Sequence, residues 1–135
     1  MYSEVAGVPV ALIATLTLAV DVAWLTIMAE RFYRPILGDI LSPNVDLRAA
    51  AAFYLLYPAG LMVFAIAPAL KTGDLKTAAV MGALFGMFSY ATYDLTNQAT
   101  LRNWTVTLTM ADIAWGTFVS GVAAIAATWV GAKIG

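Results

Sequence analysis

Three aspartates, Asp21, Asp94 and Asp112, sit inside otherwise apolar stretches of the 135-residue chain. Two of them open near-matching hexapeptides, DVAWLT at 21–26 and DIAWGT at 112–117, so that Trp24 and Trp115 each follow an acid by three residues. A carboxylate at the centre of a membrane helix costs ~2.5–3.5 kcal/mol on the insertion scale, and less nearer the edge. Three such costs at similar depths point to one shared polar site rather than three accidents.

Such a site has three chemical readings. The structural one makes the acids acceptors for Trp24, Trp115, Tyr54, Tyr57 and nearby hydroxyls, with Arg102 pairing Asp94, so that they pin the helices together. The second is a ligand or ion site. Low dielectric and a like charge nearby both favour the neutral form of an acid, so such a group can exchange a proton or neutralise a cation. The third is catalysis, with carboxylates holding Mg²⁺ or acting as acid and base. Against it stand the absence of a D-x-x-D ligand spacing, of a nucleophile–base pair and of a dense set of cations for phosphate. No catalytic residue is assigned, and the chain is read as a non-enzyme ahead of an enzyme.

Composition narrows the chemistry further. The sequence has no Cys and no His. That removes disulfides, thiol catalysis, and thiolate or imidazole ligands for haem, zinc or di-iron. No metal and no cofactor is expected. The net charge of −1 offers no field for nucleic acid. With 62% hydrophobic and 11% charged residues, a soluble fold of this length could not hide its apolar surface, whereas a bilayer could.

Stepping the apolar pattern along the chain gives an all-α, integral membrane four-helix antiparallel bundle as one domain over 1–135. The spans fall at about 8–29, 49–70, 77–98 and 105–132, each near the ~20 residues needed to cross hydrocarbon. The N-terminus, MYSEVAGVPV, lacks the basic start of a secretory signal and is read as the start of a retained span. Pro9 suits a first helical turn, Pro58 predicts a kink, and Gly73 in KTGDLK predicts a helix stop. The longest link, Glu30 to Arg48, carries Phe32, Tyr33, Ile36, Leu37, Ile40 and Leu41 among charges, which suggests an interfacial amphipathic segment at 31–41. An ordered loop is the alternative.

At a rise of ~1.5 Å per residue, Asp21, Asp112 and Asp94 lie roughly 12, 10 and 6 Å from the end that carries this link. Helical spacing then groups their neighbours. Ala14, Thr17, Asp21, Trp24 and Met28 share a face of the first span. Tyr54, Tyr57 and Pro58 lie near the same end of the second. Gly82, Gly86, Ser89, Tyr93 and Asn97 form a stripe on the third, with Tyr90 and Asp94 on its shoulder. Thr105, Thr109, Asp112, Gly116, Ser120 and Ala123 share a face of the fourth, with Trp115 beside it. Small and polar faces pack inward in a membrane bundle, and GALFG allows close backbone approach. Trp104 and Trp129, near helix ends, read as interfacial anchors. The matching hexapeptides lie on helices of opposite direction, so a shared local need explains them better than duplication does.

FYRPILGDIL, AAFYLLYPAGLMVF, GALFGMFSYATYDLTNQATLRNW and DIAWGTFVSG together resemble a small bacterial membrane family catalogued as a domain of unknown function, number 2177. The form Y-A-T-Y-D-L-T-N-x-A-T-L is met by Tyr90, Thr92, Tyr93, Asp94, Thr96, Asn97, Thr100 and Leu101. Asp21, Trp24, Asp112 and Trp115 meet other recurring positions. The resemblance covers nearly the whole chain and implies a four-helix inner-membrane protein with no established activity. The nearby basic residues, Lys71, Lys76 and Lys133 at one end against Arg31, Arg34, Arg48 and Arg102 at the other, favour a cytoplasmic link by a narrow count. The resemblance implies cytoplasmic termini instead, and the expectation follows it. It also gives a lead towards lipid chemistry.

The favoured reading is a membrane protein whose acidic and aromatic site binds or passes a small ligand, cation or proton. The candidate ligand-binding set is Asp21, Trp24, Tyr54, Tyr57, Tyr90, Tyr93, Asp94, Asn97, Arg102, Asp112 and Trp115. Membrane lipids are expected partners, with a second membrane protein or a second copy as a further option. The alternatives are a lipid-modifying enzyme and an accessory subunit of a larger membrane complex.

Overall fold

The computed structural model describes residue 16 and residues 19–134. The expected start of the first span, with Pro9, Ala14 and Thr17, lies outside the described residues. Among the described residues there are four helices and no strand. Helix α1 covers 19–37, α2 Leu47–Thr72, α3 Leu75–Thr100 and α4 Val106–Ile134.

Local chemistry sets the ends. Asp46 caps α2 by accepting from the backbone N–H groups of Arg48 and Ala49, and Asp74 caps α3 by accepting from Lys76 N–H. Each satisfies donors that a helix start leaves orphaned. Gly73 stops α2 in the left-handed region at φ 67°, as the KTGDLK reading expects. Gly38 closes α1 at φ 54°, a backbone setting that glycine adopts without a Cβ clash.

Two helices contain one wide turn each, at Ala29–Tyr33 in α1 and Met62–Ile66 in α2. In both, an N–H reaches back five residues, from Arg34 to Ala29 and from Ala67 to Met62. In both, proline follows at once, as Pro35 and Pro68. A proline cannot donate and crowds the carbonyl four residues back, and an extra residue in the turn relieves that crowding. In α2 the irregular turn therefore lies beyond Pro58, next to Pro68.

The dry core gathers at one end of the bundle. Leu61, Ala65, Ile66 and Ala69 of α2 meet Ala78 of α3 and Ala123, Ala124 and Ala127 of α4. Between α3 and α4 the backbones nearly touch. A Cβ placed on Gly82 would meet the Ala124 methyl at 2.5 Å, and one on Gly86 would strike the Gly116 carbonyl and the Ser120 side chain. Small residues give membrane helices this approach, because van der Waals contact replaces the hydrophobic drive that lipid removes.

The outside is apolar. Leu55, Leu56, Val63 and Phe64 of α2, Phe88 of α3 and Met110 and Phe118 of α4 all point away from the core. Two of the described helices, Leu47–Thr72 and Val106–Lys133, are long and apolar enough to cross a membrane. Only 22% of the apolar window in the first of these is buried, whereas a soluble core helix would be mostly covered. Helix α3 has the length but carries Tyr, Thr, Asp, Asn and Gln through its second half, which lowers its hydropathy. Its exposed Thr92, Thr96 and Thr100 hydroxyls donate to carbonyls four residues back, on Phe88, Thr92 and Thr96, so they need no water.

Candidate functional site

At the other end the bundle is hollow. A half-open cavity of ≈ 590 Å³ lies between α1, α2, α3 and α4. Asp21 and Trp24 enter from α1, Tyr90 and Tyr93 from α3, and Asp112 and Trp115 from α4. Leu25, Leu37, Leu41 and Phe53 make the rest of the wall largely apolar. Ser89 and Trp104 also reach it. None of the chain's lysines or arginines lines it.

The two acid–tryptophan pairs interlock. Trp24 and Trp115 stack with centroids 4.1 Å apart and planes within 5°. Each acid is linked to the other pair's tryptophan, Asp21 directly and Asp112 through Tyr33. The Trp115 indole N–H donates to Asp21 Oδ1 at 3.4 Å. The Trp24 indole N–H donates to the Tyr33 hydroxyl at 3.1 Å, and that hydroxyl donates to Asp112 Oδ1 at 2.7 Å. Asp21 also accepts from the Tyr54 hydroxyl at 3.0 Å. Helices α1, α2 and α4 are thus tied by side-chain hydrogen bonds around the cavity, in a setting where an unmet polar group is costly.

Asp94 stands apart from the open wall. It is fully buried, its carboxyl meets that of Asp112, and neither of its oxygens receives a donor among the described residues. Tyr57 is buried and bonds Ser120 of α4 rather than an acid. Asn97 is half-buried beside the Tyr93 hydroxyl, one turn further along α3. Arg102 is exposed in the turn after α3 and does not pair with Asp94; the ion pair among the described residues is Arg34 with Glu30, on the surface of α1. Arg102 is carried away because α3 ends at Thr100 with Leu101 already extended.

The structure therefore brings together Asp21, Trp24, Tyr90, Tyr93, Asp112 and Trp115 around the cavity. Tyr54 and Asp94 form a layer behind it, through Asp21 and Asp112. Tyr57 and Asn97 lie further along the bundle, and Arg102 lies outside. On α3 the buried line runs through Ala78, Gly82, Gly86 and Asp94. Asp94 is thus central and the half-turned Tyr93 is the shoulder, the reverse of the stripe drawn from spacing.

Two site residues were not singled out by their sequence. Trp104 reads as a membrane anchor, yet it lines the cavity, donates to Thr109 Oγ1 at 3.0 Å and meets Tyr93 edge-on. Tyr33 reads as part of a surface segment, yet its hydroxyl is the link between Trp24 and Asp112. Residues 31–37 of that segment continue α1 past its wide turn. Leu37 is buried and its carbonyl accepts from the Asn103 amide at 3.4 Å, so the first link and the α3–α4 turn meet. The hydroxyl on Tyr33 and its Trp24 spacing of nine are the only sequence signals for this role.

Fold and site together define an all-α membrane bundle with an acidic and aromatic cavity at one end. Residues 7–129 match the family model DUF2177, described as "Predicted membrane protein", and the chain belongs to that family. No curated protein and no solved structure matched the chain.

Proposed function

We propose that this chain crosses a bacterial inner membrane four times, with both termini in the cytoplasm, and binds a small organic cation in its cavity. One observation carries the reading. Asp21 and Asp112 share a cavity with the Trp24–Trp115 stack and three tyrosines, and no lysine or arginine of the chain lies in its wall. Carboxylates attract positive charge, and aromatic faces hold alkylated ammonium groups through the ring quadrupole. The room, ≈ 590 Å³, suits an organic molecule better than a bare ion, and largely apolar walls with few polar groups are what small-molecule pockets share. An anionic or phosphate ligand would meet two acids and no cationic side chain here. Among the described residues no group of three or more acids could hold a metal ion.

Titration of the full chain in mild detergent with tetraethylammonium, followed by tryptophan fluorescence, tests this. The wild-type protein is expected to show a saturable change. Asp112→Asn should weaken it about tenfold or more, in line with the ~1.5–3 kcal/mol of a contact to a charged group, with unchanged helical circular dichroism. A flat wild-type titration, or equal affinity in a folded Asp112→Asn protein, would refute the proposal.

A further inference from the structure

The cavity wall hides a feature that cation binding alone does not use. Asp94 is fully buried, both of its oxygens lack a donor among the described residues, and it faces a second carboxyl, Asp112. Every other acid of the site is served: Asp21 by Trp115 and Tyr54, and Asp112 by Tyr33. The groups facing the carboxyl pair are Tyr33 and Asp21 from α1, and Tyr90 and Tyr93 from α3. None is a cation, and Arg102 is exposed. A fully buried carboxyl with no donor can lie against a second carboxyl only with a proton between them, because its bare charge would be neither solvated nor offset and would repel its neighbour.

We propose that the Asp94–Asp112 pair stores one proton and releases it when an organic cation enters the cavity, so that binding is a cation-for-proton exchange. This rests on the cation-binding reading above. The balance is simple. The proton leaves the pair and passes by way of Asp112, the member that lines the cavity, to water. The incoming cation brings the positive charge that the proton had supplied. No bond other than O–H breaks, and nothing is oxidised or reduced. Asp21, with two donors of its own, stays a fixed acceptor and is no part of the exchange. The same linkage makes protons competitors: binding weakens as pH falls, and by about tenfold per pH unit while the pair holds its proton.

A quaternary ammonium carries no titratable proton, so any proton released on its binding comes from the protein. Calorimetric titration of the detergent-solubilised full chain with tetraethylammonium, repeated at one pH in two buffers of different ionisation heat, counts those protons. About one proton released per cation bound is expected, together with an apparent Kd that falls about tenfold for each pH unit rise. In Asp94→Asn both the release and the pH slope should vanish. Binding by the wild-type protein with no proton release would overturn the exchange and leave the cation site standing. Undiminished release from Asp94→Asn would overturn the assignment to this pair. Absence of wild-type binding in either buffer would remove the cation reading and the exchange together. The wild-type pH slope and proton count need no variant to fold.

Discussion

Between Gly82 and Gly86 on α3 and Ser120 and Ala124 on α4, the backbones are so close that a single added methyl has no room. One or two turns further along, between Tyr90 and Trp115, the same two helices border a cavity of ≈ 590 Å³. The seam is built of glycine, alanine and serine, has no water to expel inside a bilayer, and gains its energy from contact. The cavity end is built of rings and acids, and it is closed by directed hydrogen bonds from Tyr33, Tyr54 and Trp115. A tight clamp at one end lets the other end remain hollow. The Tyr57–Ser120 bond and the packing of the Tyr90 ring on Gly116 lie where the two regimes meet.

The seam is the place where one substitution should do most damage. Gly86→Leu puts a branched side chain against the Gly116 carbonyl, which is backbone and cannot swing away. A loss of about 3 kcal/mol or more is expected, at the upper end for overpacking. It would show as failure to purify as a single species or as a large drop in apparent Tm in detergent. A Gly86→Leu protein melting like wild type would erase the contrast between the two ends.

Tyr33→Phe should act more gently and only at the cavity end. It strands the Trp24 N–H and removes one donor from Asp112, for an expected cost of about 1–3 kcal/mol. Apparent Tm should fall, and acrylamide should quench tryptophan fluorescence more readily as the end of α1 loosens from Trp24 and Asp112. Unchanged quenching and Tm would mean that Tyr33 does not hold the cavity.

The smallest effect belongs to the surface. Glu30→Gln removes the Arg34–Glu30 pair, whose side chains are 69% and 59% exposed for Glu30 and Arg34. Exposed pairs of this kind contribute about 0.5 kcal/mol or less, so no resolvable change in apparent Tm is expected. A shift as large as that of Tyr33→Phe would show that the Ala29–Tyr33 turn depends on this pair.

Much of the seam was legible in the residues. GALFG and the Gly116, Ser120, Ala123 spacing name a face that can approach another backbone, and Gly73 and Asp74 mark a stop and a start. The acids and their tryptophans were legible as inward-facing, but their exchange of partners was not, since spacing within one helix says nothing of which neighbour lies across. Tyr33 was hidden for a definite reason. In a regular helix a residue nine places after Trp24 stands about half a turn away from it. The wide turn at Ala29–Tyr33 takes up one extra residue and swings Tyr33 back by roughly 100°. Arg102 failed as a partner for Asp94 because where α3 ends, not the distance in sequence, sets where that side chain points.

Taken alone, the amino-acid order determined that this chain must bury apolar helices in a membrane, that α2 stops at Gly73, and that three acids had to share some polar solution. Those are matters of composition and local periodicity, which each segment carries by itself. Which acid meets which donor, and that Asp94 lies dry against Asp112 while Asp21 is fully served, were decided only when four helices packed. Such pairings depend on the phase of one helix against another, and a single extra residue in one turn is enough to change it.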